Sequence, residues 1–132
     1  MKFPSYVMGC ETSLNFAEAD QRVRHGLAKE GFGILTEIDV AETLKRKLGV
    51  ELAPYVIFGA CAPDLARQAI ENEPDVGLLL PCNVVIRETA AGTVVEALDP
   101  VRQLNLASNE GLRPVAEEVR ARLTRVLAAF CD

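Results

Sequence analysis

The amino-acid sequence predicts an α+β domain, and three observations carry that reading. A long amphipathic helix closes the chain, two strands joined by a tight turn precede it, and strands and helices alternate before that. The order read from the sequence is strand, helix, strand, helix, strand, helix, strand, strand, helix. The late hairpin requires antiparallel pairing, which favours α+β over a doubly wound parallel sheet.

Each element has its own punctuation. Tyr6–Thr12 reads as a first strand that alternates loosely and ends in polar residues. Asn15 is a helix cap, and Glu18 three residues later completes a capping box. Phe16, Ala19, Val23 and Leu27 then recur at helical spacing, with Gly31 as the left-handed stop. Gly33–Ile38 alternates β-branched residues and reads as the second strand. Asp39 caps a short helix in which Val40, Leu44 and Leu48 form one stripe, closed by Gly49. Lys45, Arg46 and Lys47 in its last turn suit the helix dipole.

Tyr55–Cys61 is apolar throughout and reads as a strand covered on both faces, or nearly so. Pro63 suits a first helical position, and Leu65, Ala66, Ala69 and Ile70 carry that helix to Pro74. Leu78–Glu88 reads as one long strand interrupted at Pro81, which cannot donate to a ladder. Ala90-Ala91-Gly92 makes a hairpin loop, and Thr93–Leu98 returns as the last strand. After a short irregular or helical stretch from Asp99-Pro100, one face of the final helix carries Leu112, Val115, Ala116, Val119, Leu123, Val126, Leu127 and Phe130. Pro114 leaves its first residue open.

The chain of 132 residues is of ordinary size for a single domain, spanning 1–132, with no repeat or linker. It has no Trp and only five Phe and two Tyr, so Val, Leu, Ile and Ala must build the core. A net charge of −5 disfavours nucleic acid, which needs a basic face to displace counterions. The longest apolar runs are too short to span a bilayer, and the N-terminal residues lack a secretory pattern. The expectation is a cytoplasmic protein with all four cysteines reduced.

Several blocks look familiar together. Gly31-Phe32-Gly33-Ile34-Leu35-Thr36-Glu37-Ile38-Asp39-Val40 resembles the leading signature of domain-of-unknown-function family 302. Lys47–Val50, Gly59–Pro63 and Gly77–Val85 are similar to its later blocks, in order. The resemblance covers about Tyr6 to Leu98 and extends to the tail. It implies a curved antiparallel sheet with the strand-helix-strands-helix order of a TATA-binding-protein-like half, the two middle helices being insertions. It implies no activity, and a shared fold is no argument for DNA binding.

For chemistry the sequence offers four cysteines, Cys10, Cys61, Cys82 and Cys131, and one histidine, His25. None has the spacing of a zinc, haem or dithiol redox motif, so no metal ligand set is assigned. Gly31-Phe32-Gly33 follows a helix and precedes a strand, the reverse of a dinucleotide site. Cys61 ends a strand just before Pro63, where a helix N-terminus would lower a thiol pKa. Cys82 follows Pro81, where the broken ladder leaves backbone groups for a ligand. If the two thiols share one end of the sheet, they make a redox couple or a soft-metal site; otherwise they are small core hydrophobes.

The expected ligand region is therefore Cys61, Pro63, Pro81, Cys82 and Asn83, with Glu37 and Asp39 as a further carboxylate pair on one side of the second strand. Asp39 also has a simpler role as a cap. Cys10 and Cys131 carry less, Cys131 being expected on a mobile chain end, and His25 is expected in solvent. No catalytic residue or cofactor is assigned. Three functions remain: a module binding a small ligand or metal, a thiol-dependent redox enzyme, and a self-associating or interaction domain, with a homodimer as the expected assembly.

Overall fold

The computed structural model describes residues 2–129 and 131. Ten regular elements follow one another: β1 (Val7–Thr12), α1 (Phe16–Lys29), β2 (Gly33–Asp39), α2 (Val40–Leu48), β3 (Tyr55–Cys61), α3 (Pro63–Asn72), β4 (Cys82–Thr89), β5 (Gly92–Leu98), α4 (Pro100–Asn105) and α5 (Arg113–Ala128). The strands form one sheet in the order β1-β5-β4-β3-β2, antiparallel at every step. The α+β class and the inserted middle helices are as the sequence predicts.

Period-two alternation divides the sheet into two unlike faces. Val56, Phe58, Ala60, Cys82, Val84, Ile86, Val95 and Ala97 point to one side and are buried. On that side Val23 and Leu27 of α1 and Leu123 of α5 complete the core, all at 1% exposure or less. The opposite face carries Ile38, Ile57, Asn83, Val85 and Glu96, which stay exposed or half-buried.

Local chemistry sets the element ends. The amide of Glu18 donates to Asn15 Oδ1 at 2.9 Å, and that of Asn15 donates to Glu18 Oε1 at 3.1 Å. A cap of this kind is worth about 1 kcal/mol. Gly31 and Gly49 take positive φ, 85° and 71°, behind α1 and α2. A 3₁₀ turn over Glu110–Leu112 leads into α5, which settles a start that Pro114 left open. Arg122 on α5 reaches Asp64 of α3 at 3.0 Å, and Arg125 reaches Glu30 behind α1 at 2.8 Å. Each such surface pair adds at most about 1 kcal/mol, but together they fix how the three helices sit.

Two expectations need correction. The strand expected from Leu78 to Glu88 does break at Pro81, but only its second part is strand: Pro74–Leu79 is a 3₁₀ turn, Leu80-Pro81 is a cis peptide, and β4 begins only at Cys82. Pro81 has no N–H to give a ladder; before it Val76 is fully buried and Leu79 and Leu80 pack against the core, while Leu78 is exposed. The cysteines are also not all free. Cys10 and Cys131 form a disulfide with Cα atoms 5.8 Å apart, so Cys131 is anchored to β1 rather than loose. Cys10 pairs with Val95 and faces the helices, and α5 returns the chain to that point. Phe130, which the sequence placed on the last helical face, lies outside the described residues.

Candidate functional site

The region predicted around Cys61 and Cys82 is built where β3 ends and β4 begins. Ala60 and Cys82 are cross-strand partners, so Cys61 sits one residue past that pair on the neighbouring strand. β3 stops there because Pro63 opens α3, with Pro63 at its first position and Ala62 as a cap that has no side-chain hydrogen bond. Pro81 lies across Gly59: a Cβ there would come within 2.9 Å of Pro81 Cγ and collide with Thr36 Oγ1. Only glycine lets the three segments approach this closely.

Behind this strand end lies a cavity of about 30 Å³, lined by Cys61, Cys82 and Pro81 from the sheet end, Leu65 and Ala69 from α3, and Leu104, Val115 and Val119 from α4 and α5. Gln103 and Phe32 are also in the wall. One water needs about 10–15 Å³ on this measure, so the space admits roughly two or three heavy atoms.

The wall presents almost no polar surface. Gln103 is 8% exposed, and its Nε2 donates to the carbonyl oxygen of Leu79. Its Oε1 is buried and has no hydrogen-bond partner among the described residues. Asp99 holds this residue in place by capping α4, accepting from the Val101 amide at 2.9 Å.

Both thiols are shifted toward the protonated form. Burial pushes Cys82 up to about 11, and the neighbouring Cys61 adds to this. Cys61 is also raised, first by burial and then by the carboxylate of Asp64. That is opposite to the lowering expected from the start of α3, because desolvation and a nearby negative charge outweigh the helix dipole here. The Asp64 carboxylate itself is held below its usual range by its hydrogen bond from Arg122. Neither thiol is therefore a ready nucleophile near neutral pH.

The structure brings only part of the predicted set together. Cys61, Pro81 and Cys82 line the cavity, whereas Pro63 is exposed on α3. Asn83 points to the other face of the sheet, into a shallow depression of about 330 Å³ shared with Tyr6, Tyr55, Val85 and Glu96. Glu37 is engaged by Arg24, whose guanidinium carbon stands 4.6 Å from the centre of the Phe58 ring. Asp39 caps α2 by accepting from the Glu42 amide at 2.9 Å. Among the described residues, no group of three or more His, Cys, Asp or Glu could hold a metal ion, and no helix is long and apolar enough to cross a membrane. Gln103 escaped the sequence reading because it sits in a short helix without a periodic stripe, so nothing marked it as buried.

Comparison with known proteins agrees with this architecture. The family model described as "Domain of unknown function DUF302" matches residues 8–130. The crystal structure of an uncharacterized conserved DUF302 protein from Bacillus stearothermophilus superposes with a TM-score of 0.88 at 26% identity, over 95% of this chain and 98% of that one. No curated protein matches.

Proposed function

We propose that this chain, which belongs to the DUF302 family, is a binding module that takes a small ligand into the cavity beside Cys61 and Cys82. One observation supports the reading above all: an apolar cavity where the end of β3 and the start of β4 meet α3, α4 and α5. Neutral thiols suit such a lining and argue against the thiol-dependent redox alternative.

Xenon tests the reading, since it enters small apolar cavities without needing a polar contact. Saturable methyl shifts confined to Leu104, Val115 and Val119 are the expected NMR result. Shifts spread over the surface, or none, refute it.

A homodimer across the uncovered sheet face is the second reading, supported by exposed apolar residues there. Ile38 is 47% exposed and Tyr6 is 53% exposed. Light scattering at high concentration tests it, and a clean monomer refutes it. The cytoplasmic reading rests on apolar runs too short to span a bilayer, while the Cys10–Cys131 disulfide weighs against it, because such cross-links are rare in the reducing cytosol. Trapping thiols at the moment of lysis decides between them: free Cys10 and Cys131 support the cytoplasm, and an intact disulfide supports an oxidising compartment.

A further inference from the structure

We infer a second site, on the uncovered face of the sheet: the depression at Asn83 takes a small, flat, neutral molecule that carries a primary carboxamide. The inference is independent of the cavity beside Cys61 and Cys82.

Four segments build the depression. Val85 of β4 and Glu96 of β5 are cross-strand partners, and Asn83 lies two residues before Val85 on the same face. β3 supplies Tyr55, and the N-terminal turn supplies Pro4 and Tyr6. Backbone bonds fix that turn: the Val7 amide donates to the Pro4 carbonyl at 3.0 Å, and the Asp99 amide to the Tyr6 carbonyl at 2.8 Å. Gly9 lets the turn lie close, since a Cβ there would stand 3.0 Å from Phe3 Cε1. The depression measures about 330 Å³, the scale of a small-molecule site. The helix-side cavity, at about 30 Å³, is far smaller.

The polar groups there specify the head of the ligand. Asn83 is exposed in a stretch that is otherwise apolar from Cys82 to Ile86, and its side chain makes no hydrogen bond among the described residues. It offers two N–H hydrogens and a carbonyl oxygen. Glu96 accepts from Arg87 Nε through Oε1 at 2.8 Å, while its Oε2 has no partner among the described residues. Acceptors at Asn83 Oδ1 and Glu96 Oε2, with a donor at Asn83 Nδ2, call for two donors and one acceptor. A primary carboxamide carries that set. Its C=O and one N–H pair with the Asn83 amide, and its second N–H reaches Glu96. Diagonal neighbours on paired strands lie about 7–8 Å apart, within reach of one bridging group.

Charge and shape settle the body. Arg87 already neutralises Glu96, so a cation brought here meets the guanidinium and an anion meets the carboxylate. The rings of Tyr6 and Tyr55 and the apolar side chain of Val85 line the rest, which suits a planar ring packed against them.

Benzamide, acetophenone and benzoate have nearly one size and differ in the head group. Each is titrated into the full chain, following the Asn83 side-chain NH₂, the Val85 methyls and the Tyr55 ring by NMR. Benzamide should bind saturably and roughly tenfold tighter than acetophenone, which keeps the carbonyl and lacks both donors. Benzoate should bind no better than acetophenone. In Asn83→Leu, a change at an exposed residue, the preference for benzamide should fall to near unity.

No saturable benzamide binding, whether the face stands empty or a second copy closes it, overturns the inference. So does equal binding of benzamide and acetophenone, or a preference that persists in folded Asn83→Leu. Should that variant not fold, the wild-type comparison still decides. Shifts that gather at Leu104 and Val119 instead would put the probe in the helix-side cavity, overturning this site while favouring the other. Xenon reports on that cavity separately, so the two sites stand or fall apart.

Discussion

Cys82 offers a direct reading of how dry the candidate site is. In the folded protein its thiol is pushed from an ordinary 9.0 up to about 11, chiefly by burial. Between those values the unfolded chain has released this proton and the folded chain still holds it. The unfolded state then binds fewer protons, so stability must fall as pH rises through this window. Each pH unit is worth about 1.4 kcal/mol, and the whole loss is about 2–3 kcal/mol between pH 9 and 11. Below pH 9 this contribution is fully present. Cys82→Ala removes it, since alanine has no proton to lose. Urea unfolding of both proteins at a series of pH values gives the difference curve, in which other titrating groups cancel. Thiolate ultraviolet absorbance of the folded protein locates the native titration independently. A difference curve that is flat from pH 7 to pH 11, or a native thiol that ionises near 9, would refute the claim that Cys82 sits against a dry, low-dielectric wall.

The other expectations concern the frame around that wall. Reducing the Cys10–Cys131 disulfide, or replacing Cys131 by Ser, frees a loop spanning 121 positions; chain entropy puts the loss at about 5 kcal/mol, read as a lower urea midpoint, and an unchanged midpoint contradicts it. Gly59→Ala forces a methyl group against the Pro81 ring and the branched Thr36 side chain, with an expected cost of about 1–3 kcal/mol in chemical denaturation. Leu104→Ala should cost about 2–5 kcal/mol and enlarge the cavity enough for benzene, so that benzene raises the melting temperature of the variant but not of the parent.

The site was only partly legible in the sequence. Cys61 and Cys82 stood out because prolines flank them, and proline has local consequences readable in any chain. That they line one cavity was not legible, because the β3–β4 register pairs Ala60, not Cys61, with Cys82, and Cys61 reaches the cavity only where β3 ends and the chain turns into α3. The helix-terminus argument for a lowered Cys61 pKa failed because it considered only the backbone; the buried setting and Asp64 reversed the sign. Asn83 looked like part of the site from its position beside Cys82, but alternation turns successive strand residues to opposite faces, and it lies across the sheet from the cavity.

The sequence by itself determined the order of elements, their caps and stops, the antiparallel hairpin and the apolar stripe of α5, because each depends on residues within a few positions of one another. Only the tertiary structure decided that Cys131 closes onto Cys10, that the apolar run before Pro81 turns instead of extending, and that Gln103 ends buried against the Leu79 carbonyl. Those outcomes join groups from 24 to 121 positions apart, and at such separations it is packing, not local propensity, that chooses the neighbours.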